Sequence, residues 1–432
     1  MLPPVAGTTR SRPGVAAPGP APGTHHQRRR PVFLRTLRVT PYFEPAWCWG
    51  GPAVSIPTAC RALVRAGTSV TVFTTTAGLA PEQGIDPERE YDLDGVKVCY
   101  FPHRWPLRYF RSPALTRALS ACAAGFDLMH LHGVFCHTNL AAWRVAKRSH
   151  IPYVVTVHGV LDPVVLGQGL VKRHKKAAYI ALIERRVING ASRIIALSEA
   201  ERTQIQGLGF RPAVAVIPNG LEPSKLAPVP ERARVDAHWP ALAGRPYVLH
   251  LGRLHPKKGI PLLIEAFGTL VRQEPEWRLV LAGPDENGHQ RELEAQVQRA
   301  GLGPVTLFPG LVSGEPKLAL LGNADVFCLA SHSEGVPTAV LEALFCRRPV
   351  LIAEGCYLPQ VGQQGAGLVV PASVEALAEG LVNLARAGEA RRDMGERARA
   401  LAQREFGVDT HAQRTQRLYA EILDERRASR PG

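Results

Sequence analysis

Two glutamates, Glu334 and Glu342, stand eight positions apart in the segment SEGVPTAVLEAL, one before a predicted helix and one inside it. Gly335 and Val336 lie at the predicted helix start, where backbone N–H groups and the positive end of the helix dipole attract anions. Carboxylates accept hydrogen bonds from hydroxyl groups, so the segment suits a ligand that carries both phosphates and polyols. Ordinary surface acids do not explain Glu342, because its helix is otherwise almost wholly apolar and an unpaired carboxylate there would be costly.

A second candidate segment, GRLHPKKG over 252–259, follows a predicted strand at 247–251. Arg253 and Lys258 would project from this strand-to-helix loop at the mouth of a cleft. Arginine can bind phosphate oxygens bidentately and lysine binds them as a point charge, so two cations held in one loop fit a diphosphate. A solvated basic loop is the alternative, and the segment alone does not separate the two.

Two further loops carry weaker signals. Gly50 and Gly51 stand between the first predicted strand and a predicted helix at 52–66, where a glycine pair lets a ligand approach the backbone. Their spacing is not that of a dinucleotide-binding GxGxxG loop, so a tight turn is the alternative. His158 ends an apolar strand in TVHG and could contact a sugar or a phosphate, although a lone histidine is more often structural. The structural interpretation is stronger for the histidines of HLHGVFCH. No histidine or aspartate pattern indicates a tightly held metal.

These loops belong to a regular alternation of apolar strands and helices that starts at residue 37. The predicted strands lie at 37–43, 69–75, 96–101, 128–132, 153–158, 193–198 and 213–217, then at 247–251, 278–282, 305–308, 324–330, 349–353 and 367–370. The predicted helices include 52–66, 138–149, 258–273, 289–301, 314–322, 336–346, 373–387, 390–404 and 409–428. Continuous apolar strands that alternate with helices predict parallel sheets covered on both faces.

A turn at 217–220 and a segment rich in Pro, Ala and charge at 222–246 divide this alternation in two. The predicted fold class is therefore α/β, with two doubly wound Rossmann-like domains that face a central cleft. The carboxyl ends of the strands border such a cleft, and ligands bind there. The predicted divisions are a disordered basic tail (1–30), a first domain (31–223), a second domain (224–408) and a C-terminal helix and tail (409–432).

The 432-residue chain has 52 basic and 37 acidic residues, a net charge of +15. Residues 1–30 contribute +5, residues 31–223 contribute +9 and residues 224–432 only +1. The excess on the first domain, including the basic run at 172–176 and Arg185-Arg186, predicts that this domain approaches an anionic membrane surface or a polyanionic acceptor. A solvated surface is the alternative. No nucleic-acid-binding module is recognisable, and no apolar run is long enough to span a bilayer.

Taken together, these segments resemble the retaining, nucleotide-sugar-dependent glycosyltransferases of family four, which have the GT-B architecture. The resemblance runs from about residue 37 to about residue 405 and includes WGGPAVSIPTACRAL, TVHG, VIPNG, LGRLHPKKGIPLLIEAF, LAGP and ADVFCLAS. It implies transfer of a sugar from a nucleotide-diphosphate sugar to a glycan, lipid-linked or small-molecule acceptor, with retention of anomeric configuration. A role in polysaccharide or envelope glycan biosynthesis is the family-level expectation.

The resemblance also implies a role for each site residue. Arg253 and Lys258 would neutralise the donor diphosphate, Glu334 would hold donor-sugar hydroxyls, and Glu342 would bind the ribose diol. The remaining donor contacts would come from the amides of Gly335 and Val336 at the phosphate, Gly50 and Gly51 under the diphosphate, His158 at the sugar, and Gly310 and Leu311 at the base. The leaving phosphate would take the acceptor's proton, so the resemblance implies no side-chain base and no cofactor.

Two departures from the family pattern bear on activity. Arg347 and Arg348 precede Pro349 where the family usually has a small residue and a glycine, and Gln360 stands where a related segment usually carries glutamate. Gln360 slightly favours one alternative, an inactive nucleotide-sugar-binding homologue. A nucleotide-sugar epimerase is the other alternative, because it could share the same architecture. Eight cysteines without a CxxC pair indicate free thiols, which favours a cytoplasmic location, at the inner face of the membrane if the protein is peripheral.

Overall fold

The structure, a computed structural model, describes residues 34–104, 109–161, 177–286 and 288–429. These residues form two parallel-sheet α/β domains joined at a cleft, so the predicted fold class is confirmed. The predicted tail at 1–30 and the basic run at 172–176 lie outside the described residues.

The first domain is built on an eight-stranded sheet with the order β3-β4-β2-β1-β5-β6-β7-β8. The strands are β1 (Arg35–Val39), β2 (Ser69–Thr75), β3 (Glu90–Leu93), β4 (Val96–Phe101), β5 (Leu128–His132), β6 (Tyr153–Thr156), β7 (Arg193–Ala196) and β8 (Val214–Val216). All neighbours pair in parallel except β3, which forms an antiparallel edge with β4. The sequence did not predict β3, because its residues EYDL are polar and at least partly exposed.

In the part of the first domain that the structure describes, five helices and one π-helical turn cover this sheet. They are α1 (Gly51–Arg65), α2 (Pro113–Cys122), α3 (His137–Arg148), the π-helical turn Ile180–Glu184, α4 (Arg185–Asn189) and α5 (Glu199–Gly207). The structure confirms α1 and α3 within one residue of the predicted ends. The sequence analysis missed α2 and α5, although Ser112 and Ser198 are N-cap residues whose side chains accept backbone hydrogen bonds.

The second domain is built on a six-stranded, wholly parallel sheet with the order β11-β10-β9-β12-β13-β14. Its strands are β9 (Tyr247–Leu251), β10 (Arg278–Ala282), β11 (Thr306–Gly310), β12 (Val326–Leu329), β13 (Val350–Ala353) and β14 (Gly367–Val370). Its helices are α6 (Arg232–His238), α7 (Ile260–Gln273), α8 (His289–Arg299), α9 (Gly314–Gly322), α10 (Thr338–Phe345), α11 (Gln360–Gln363), α12 (Val374–Arg386) and α13 (Glu389–Phe406). Two apolar cores, one on each face, bury these strands.

The last helix, α14 (Val408–Ala428), packs on the first domain. Its apolar face joins two clusters of that domain through Val408, Ala412, Leu418, Tyr419 and Ile422. The two segments that pass between the domains run side by side, because Leu221 N–H donates to the Phe406 carbonyl oxygen at 2.8 Å and Val408 N–H donates to that of Leu221 at 2.9 Å. The C-terminal helix therefore belongs spatially to the first domain.

Candidate active site

The predicted site residues lie at the carboxyl ends of strands, in an order that follows the second sheet. Across that sheet, Gly310 ends β11, Arg253 and Lys258 follow β9, and Glu334 follows β12. Glu342 lies one helix turn or more further, inside α10. The residues that the resemblance assigns to base, diphosphate and sugar are thus met in that same order along one edge.

Lys258 and Glu334 form an ion pair at the centre of this edge. Lys258 Nζ donates to Glu334 Oε1 at 2.6 Å, and the two side chains are only 16% and 13% exposed. The loop that carries Lys258 packs tightly on the end of β12, since Gly259 has φ +63° and any side chain there would collide with the Ala330 carbonyl oxygen. The structure thus brings together two residues that the sequence placed in separate motifs.

Arg253 is paired too, but at the surface. Its guanidinium lies 2.5 Å from a carboxylate oxygen of Glu286, and its side chain is 61% exposed. Glu286 follows β10, the strand next to β9. The sequence analysis missed Glu286, and its position in GPDEN carries no signal that would have found it.

Glu342 also has a partner that the sequence did not reveal. Lys317 on α9 donates to Glu342 Oε1 at 2.7 Å, and the carboxylate side chain is 14% exposed. Lys317 is therefore the partner that a carboxylate in this apolar helix was expected to need. The helix itself begins at Thr338, two residues later than predicted, so Gly335 and Val336 lie in the loop before it. No atom lies within 4 Å of a β-carbon placed on Gly335.

Two glycine loops leave open space where the resemblance places the diphosphate and the base. Gly50 has φ +78° and caps α1, and neither it nor Gly51 has an atom within 4 Å of its β-carbon position. The first turn of α1 has no acidic residue, which suits an anion at its N-terminus. Gly310 is equally open, and the side chain of Leu311 beside it is 73% exposed.

His158 brings the first domain to the site, but its ring is turned inward. A β-carbon on the adjacent Gly159 would lie 3.8 Å from the Cα of Gly335, so the two domains are in contact here. His158 Nε2 lies 3.0 Å from His132 Nδ1, and its Nδ1 is buried without a hydrogen bond. Burial and the charge of Arg38 lower the pKa of His158 to about 4, so the ring is neutral. In this conformation neither ring nitrogen faces the cleft.

A carboxylate that the sequence analysis missed holds the loop after His158. Glu201 on α5 accepts from the backbone N–H of Gly159 at 2.6 Å and from that of Leu197 at 2.5 Å. Its spacing from the N-cap residue Ser198, S-x-x-E, is the pattern of a capping box and could have indicated it. Glu201 therefore links the carboxyl ends of β6 and β7 beside the site.

A cavity of about 640 Å³ lies between the two domains, and Glu334 does not line it. The segment after β13 on its wall is bonded to Glu334, because the N–H of Glu334 donates to the Gly355 carbonyl oxygen at 2.8 Å. Tyr357 and Gln360, after β13, line one wall, and Ser198 and Glu199 line the other. Tyr357 has φ +53°, a left-handed conformation that costs a non-glycine residue about 1–2 kcal/mol. Gln360, the departure from the family pattern, thus lies in the cleft.

A larger groove of about 1020 Å³ lies elsewhere, at the amino ends of β6 and β7. Its basic lining includes Lys147, Arg186, Arg193 and Arg426. Ligands of parallel sheets bind at the carboxyl ends, so this groove is not the candidate active site. Across the described part of the chain, no three His, Cys, Asp or Glu side chains are grouped to hold a metal ion, and no helix is long and apolar enough to cross a membrane.

Comparisons with known protein families agree with this arrangement. Residues 50–220 match the family profile described as "Glycosyl transferase 4-like domain", and residues 233–401 match "Glycosyl transferases group 1". The two matches span both walls of the cleft. The chain belongs to the family-four type of glycosyltransferases. The resemblance inferred from the sequence is therefore confirmed.

Individual relatives of this glycosyltransferase support the assignment. It is 29% identical to D-inositol 3-phosphate glycosyltransferase of Kineococcus radiotolerans, over 92% of this chain and 97% of the relative. It is 25% identical to alpha-monoglucosyldiacylglycerol synthase of Streptococcus pneumoniae, over 71% and 69% of the two chains.

Solved structures share the fold of this glycosyltransferase. Anabaena HepE in complex with UDP and glucose superposes with a TM-score of 0.68 at 19% identity, over 90% of this chain and all of that one. Sucrose-phosphate synthase of Thermosynechococcus elongatus superposes with a TM-score of 0.70 at 22% identity and the same coverage. At these identities the comparison shows the fold alone.

Proposed function

We propose that this glycosyltransferase takes its sugar from a nucleotide diphosphate sugar bound along the β11–β10–β9–β12 edge. The observation that carries the proposal is the Lys258–Glu334 ion pair. It places a cation, which can bind phosphate, beside a carboxylate, which can accept hydrogen bonds from sugar hydroxyls. Exposed Leu311 would contact the base, Arg253 and Lys258 the diphosphate, and Glu334 the sugar. The HepE structure, which is a complex with UDP and glucose, supports a donor of this class.

The ion pairs leave enough bonding capacity for such a donor. An ammonium group has three N–H donors, so Lys258 can keep Glu334 and still bind phosphate oxygens. Arg253 would exchange Glu286 for a phosphate, at little cost because that pair is exposed. As the glycosidic bond breaks, negative charge grows on the diphosphate, and cations that bind this charge more strongly in the transition state lower the barrier.

We further propose that transfer proceeds with retention and that the leaving phosphate accepts the acceptor's proton. Glu334 is the carboxylate of the proposed sugar site, and its engagement with Lys258 favours a binding role over nucleophilic attack. The name of one relative gives a phosphorylated cyclitol as the substrate, and the name of the other gives a glucosylated diacylglycerol as the product. A hydroxyl-bearing cyclitol, glycan or glycolipid acceptor in envelope or polysaccharide biosynthesis is accordingly proposed here.

A donor-hydrolysis assay with a panel of UDP-, GDP- and ADP-sugars tests the proposal. Arg253→Ala and Glu334→Ala should each lower kcat/KM for the active donor by about 10²–10³, the usual effect of losing one transition-state donor. Arg272→Ala, an exposed arginine on α7 of the same domain, is the matched control and should behave as wild type. Full activity in Arg253→Ala or Glu334→Ala would refute the site. Hydrolysis or transfer distinguishes the enzyme from an inactive homologue, and product stereochemistry tests retention.

We also propose that the basic first domain approaches an anionic membrane or a polyanionic acceptor. Its 22 basic and 13 acidic residues support this, as does the basic groove at the amino ends of β6 and β7. Co-sedimentation with vesicles of anionic and zwitterionic phospholipid should show binding to the anionic vesicles only, weakened by salt. The proposal would be contradicted if the protein bound no vesicles, or if its binding did not depend on the salt concentration or on the lipid charge.

A further inference from the structure

A second polar site lies inside the first domain, beneath His158. It is a partly enclosed cavity of about 20 Å³, more than the roughly 10–15 Å³ that one water molecule needs. Residues of strands β1, β5 and β6 and of helices α1 and α14 surround it. Its polar lining includes Arg38, Ser55, Thr156, His158, His411 and Thr415. Arg38 is 1% exposed, which is rare for an arginine.

The hydrogen-bond pattern around the cavity can be read from Arg38, because a guanidinium group only donates. Arg38 Nη1 lies 3.4 Å from His132 Nε2, which must therefore accept. His132 then carries its proton on Nδ1 and donates it to His158 Nε2 at 3.0 Å. His158 in turn carries its proton on Nδ1, which is buried and has no acceptor. The chain of contacts thus ends in an unsatisfied N–H donor.

Further unsatisfied donors belong to residues of the same lining. Arg38 Nε, Ser55 Oγ and Thr415 Oγ1 are all buried and have no nitrogen or oxygen hydrogen-bond partner, although the Cys60 thiol lies against the Arg38 guanidinium. His411 differs, since its Nδ1 donates to the Pro218 carbonyl oxygen at 2.8 Å and its Nε2 keeps a lone pair. Arg38 Nε and His158 Nδ1 can only donate, and the two hydroxyls can rotate to donate as well, so the lining can present up to four donors to an occupant that accepts hydrogen bonds.

The positive charge of Arg38 also favours an occupant that accepts hydrogen bonds, and in particular one that is negatively charged. The guanidinium donates to Tyr419 Oη at 3.2 Å, and Tyr419 also lies 2.6 Å from His130 Nδ1. Cys60 is the other acidic group beside it, and burial raises the pKa of both Cys60 and Tyr419, so both are neutral. Within the described residues no carboxylate is paired with Arg38. An uncompensated buried charge is costly, and a water molecule would not neutralise it.

We infer that this cavity binds a monatomic anion of the chloride type, held by Arg38 Nε, His158 Nδ1 and the hydroxyls of Ser55 and Thr415. The anion supplies the missing counter-charge. It also holds His158 in the tautomer and the inward orientation described above. The site is independent of the donor-binding proposal, because it lies in the first domain and its occupancy can be measured without substrate.

Thermal unfolding in mixed salts tests the inference. Sodium gluconate is replaced stepwise by sodium chloride or sodium bromide at constant ionic strength. A ligand that binds the native state raises Tm with a saturating dependence, so we expect a rise of roughly 5 °C with either halide and none with gluconate. Superimposable chloride and gluconate series would overturn the inference. Crystals soaked in bromide should show an anomalous peak beside Arg38 Nε, and a cavity that holds only water would also overturn it.

Variants connect the halide effect to this cavity. Arg38→Met removes the charge at similar volume and should abolish the halide response. Thr415→Val removes one hydroxyl and should shift the response to about tenfold higher halide concentration, the equivalent of one ordinary hydrogen bond. Arg117→Met, at an exposed position on α2, is the control and should respond as wild type. A halide response retained by Arg38→Met would refute the site. If Arg38→Met does not fold, Thr415→Val and the bromide crystals still decide.

Discussion

The Lys258–Glu334 ion pair offers the sharpest test, because its contributions to stability and to catalysis can be separated. The paired atoms are 2.6 Å apart and the side chains are 16% and 13% exposed. At an effective dielectric constant of about 20, Coulomb's law gives a gross attraction of about 6 kcal/mol at this distance. Loss of hydration cancels most of that gain, but removing one partner leaves the other charge buried and unpaired.

Lys258→Met should therefore lower the free energy of unfolding by about 3 kcal/mol, the lower end for a buried pair, because both groups keep some exposure. Glu334→Gln keeps an oxygen that accepts from the ammonium and should cost only about 1 kcal/mol. The double variant has no unpaired charge, so its stability should stay within about 1 kcal/mol of wild type. The single losses would then be non-additive by about 3 kcal/mol.

Activity should not recover in the double variant. Each of the three proteins lacks a group that binds the donor in the transition state, so each should lose at least about 10² in kcat/KM. Calorimetry should be fitted with a separate transition for each domain, since a two-domain chain need not unfold in one step. Additive stability losses would refute the energetic argument. Restored donor turnover in the double variant would refute the catalytic one.

Three further predictions concern residues at the site and elsewhere in the two domains. Glu286→Gln should lower the donor KM by up to about fivefold, because it frees Arg253 from an exposed pair worth about 0.2–1 kcal/mol; an unchanged KM in steady-state assays would contradict this. Burial raises the pKa of Glu184 from 4.5 to about 7. The stability that protonated Glu184 contributes to the fold is therefore fully present below pH 4.5, and about 3 kcal/mol of it is lost as the pH rises through 7. Urea unfolding across this range should show the loss in wild type but not in Glu184→Gln, and parallel curves would refute it. Tyr357→Gly and Arg347→Gly each remove a non-glycine residue from a left-handed conformation, and each variant should stay within about 1 kcal/mol of the wild-type stability. Only Tyr357→Gly should change turnover, because Tyr357 lines the cavity between the domains and Arg347 does not. Equal kinetics in the two variants would argue against a ligand in that cavity.

Buried parallel strands were the most predictable part of the fold. The strands at 69–75, 96–101, 128–132, 247–251, 278–282 and 367–370 have the predicted ends. Most of their residues are buried, and apolar or β-branched residues predominate in them. Strand β3 was missed because it lies at a sheet edge and its composition is polar. Helices α2 and α5 were missed although their N-caps carry the serine that such starts favour.

Some residues of the candidate site could also be placed from the sequence, and others could not. The loops that carry Arg253, Lys258 and Glu334 could be placed from sequence, because each follows a predictable strand and parallel strands bring their carboxyl ends to one edge. Their partners could not. Glu286 follows the LAGP segment and Lys317 lies in a predicted helix, but ion pairs between separate segments leave no local spacing that would indicate either partner.

His158 shows most clearly what the tertiary structure decides. Its place at the end of an apolar strand is a property of the sequence, and the structure does put its backbone at the cleft. The direction of its ring depends on His132, which depends on Arg38, which is held by Tyr419 from the far end of the chain.

The sequence by itself determined the two α/β domains, the family and the strand-end loops that carry the candidate chemistry. It did so because hydrophobic periodicity and short motifs are local in the chain. The tertiary structure alone decided which charges neutralise one another, where the last helix packs and which side chains face the cleft. Those outcomes depend on contacts between residues tens to hundreds of positions apart, from Lys317 and Glu342 to Arg38 and Tyr419, and burial sets their energies only after the chain has folded.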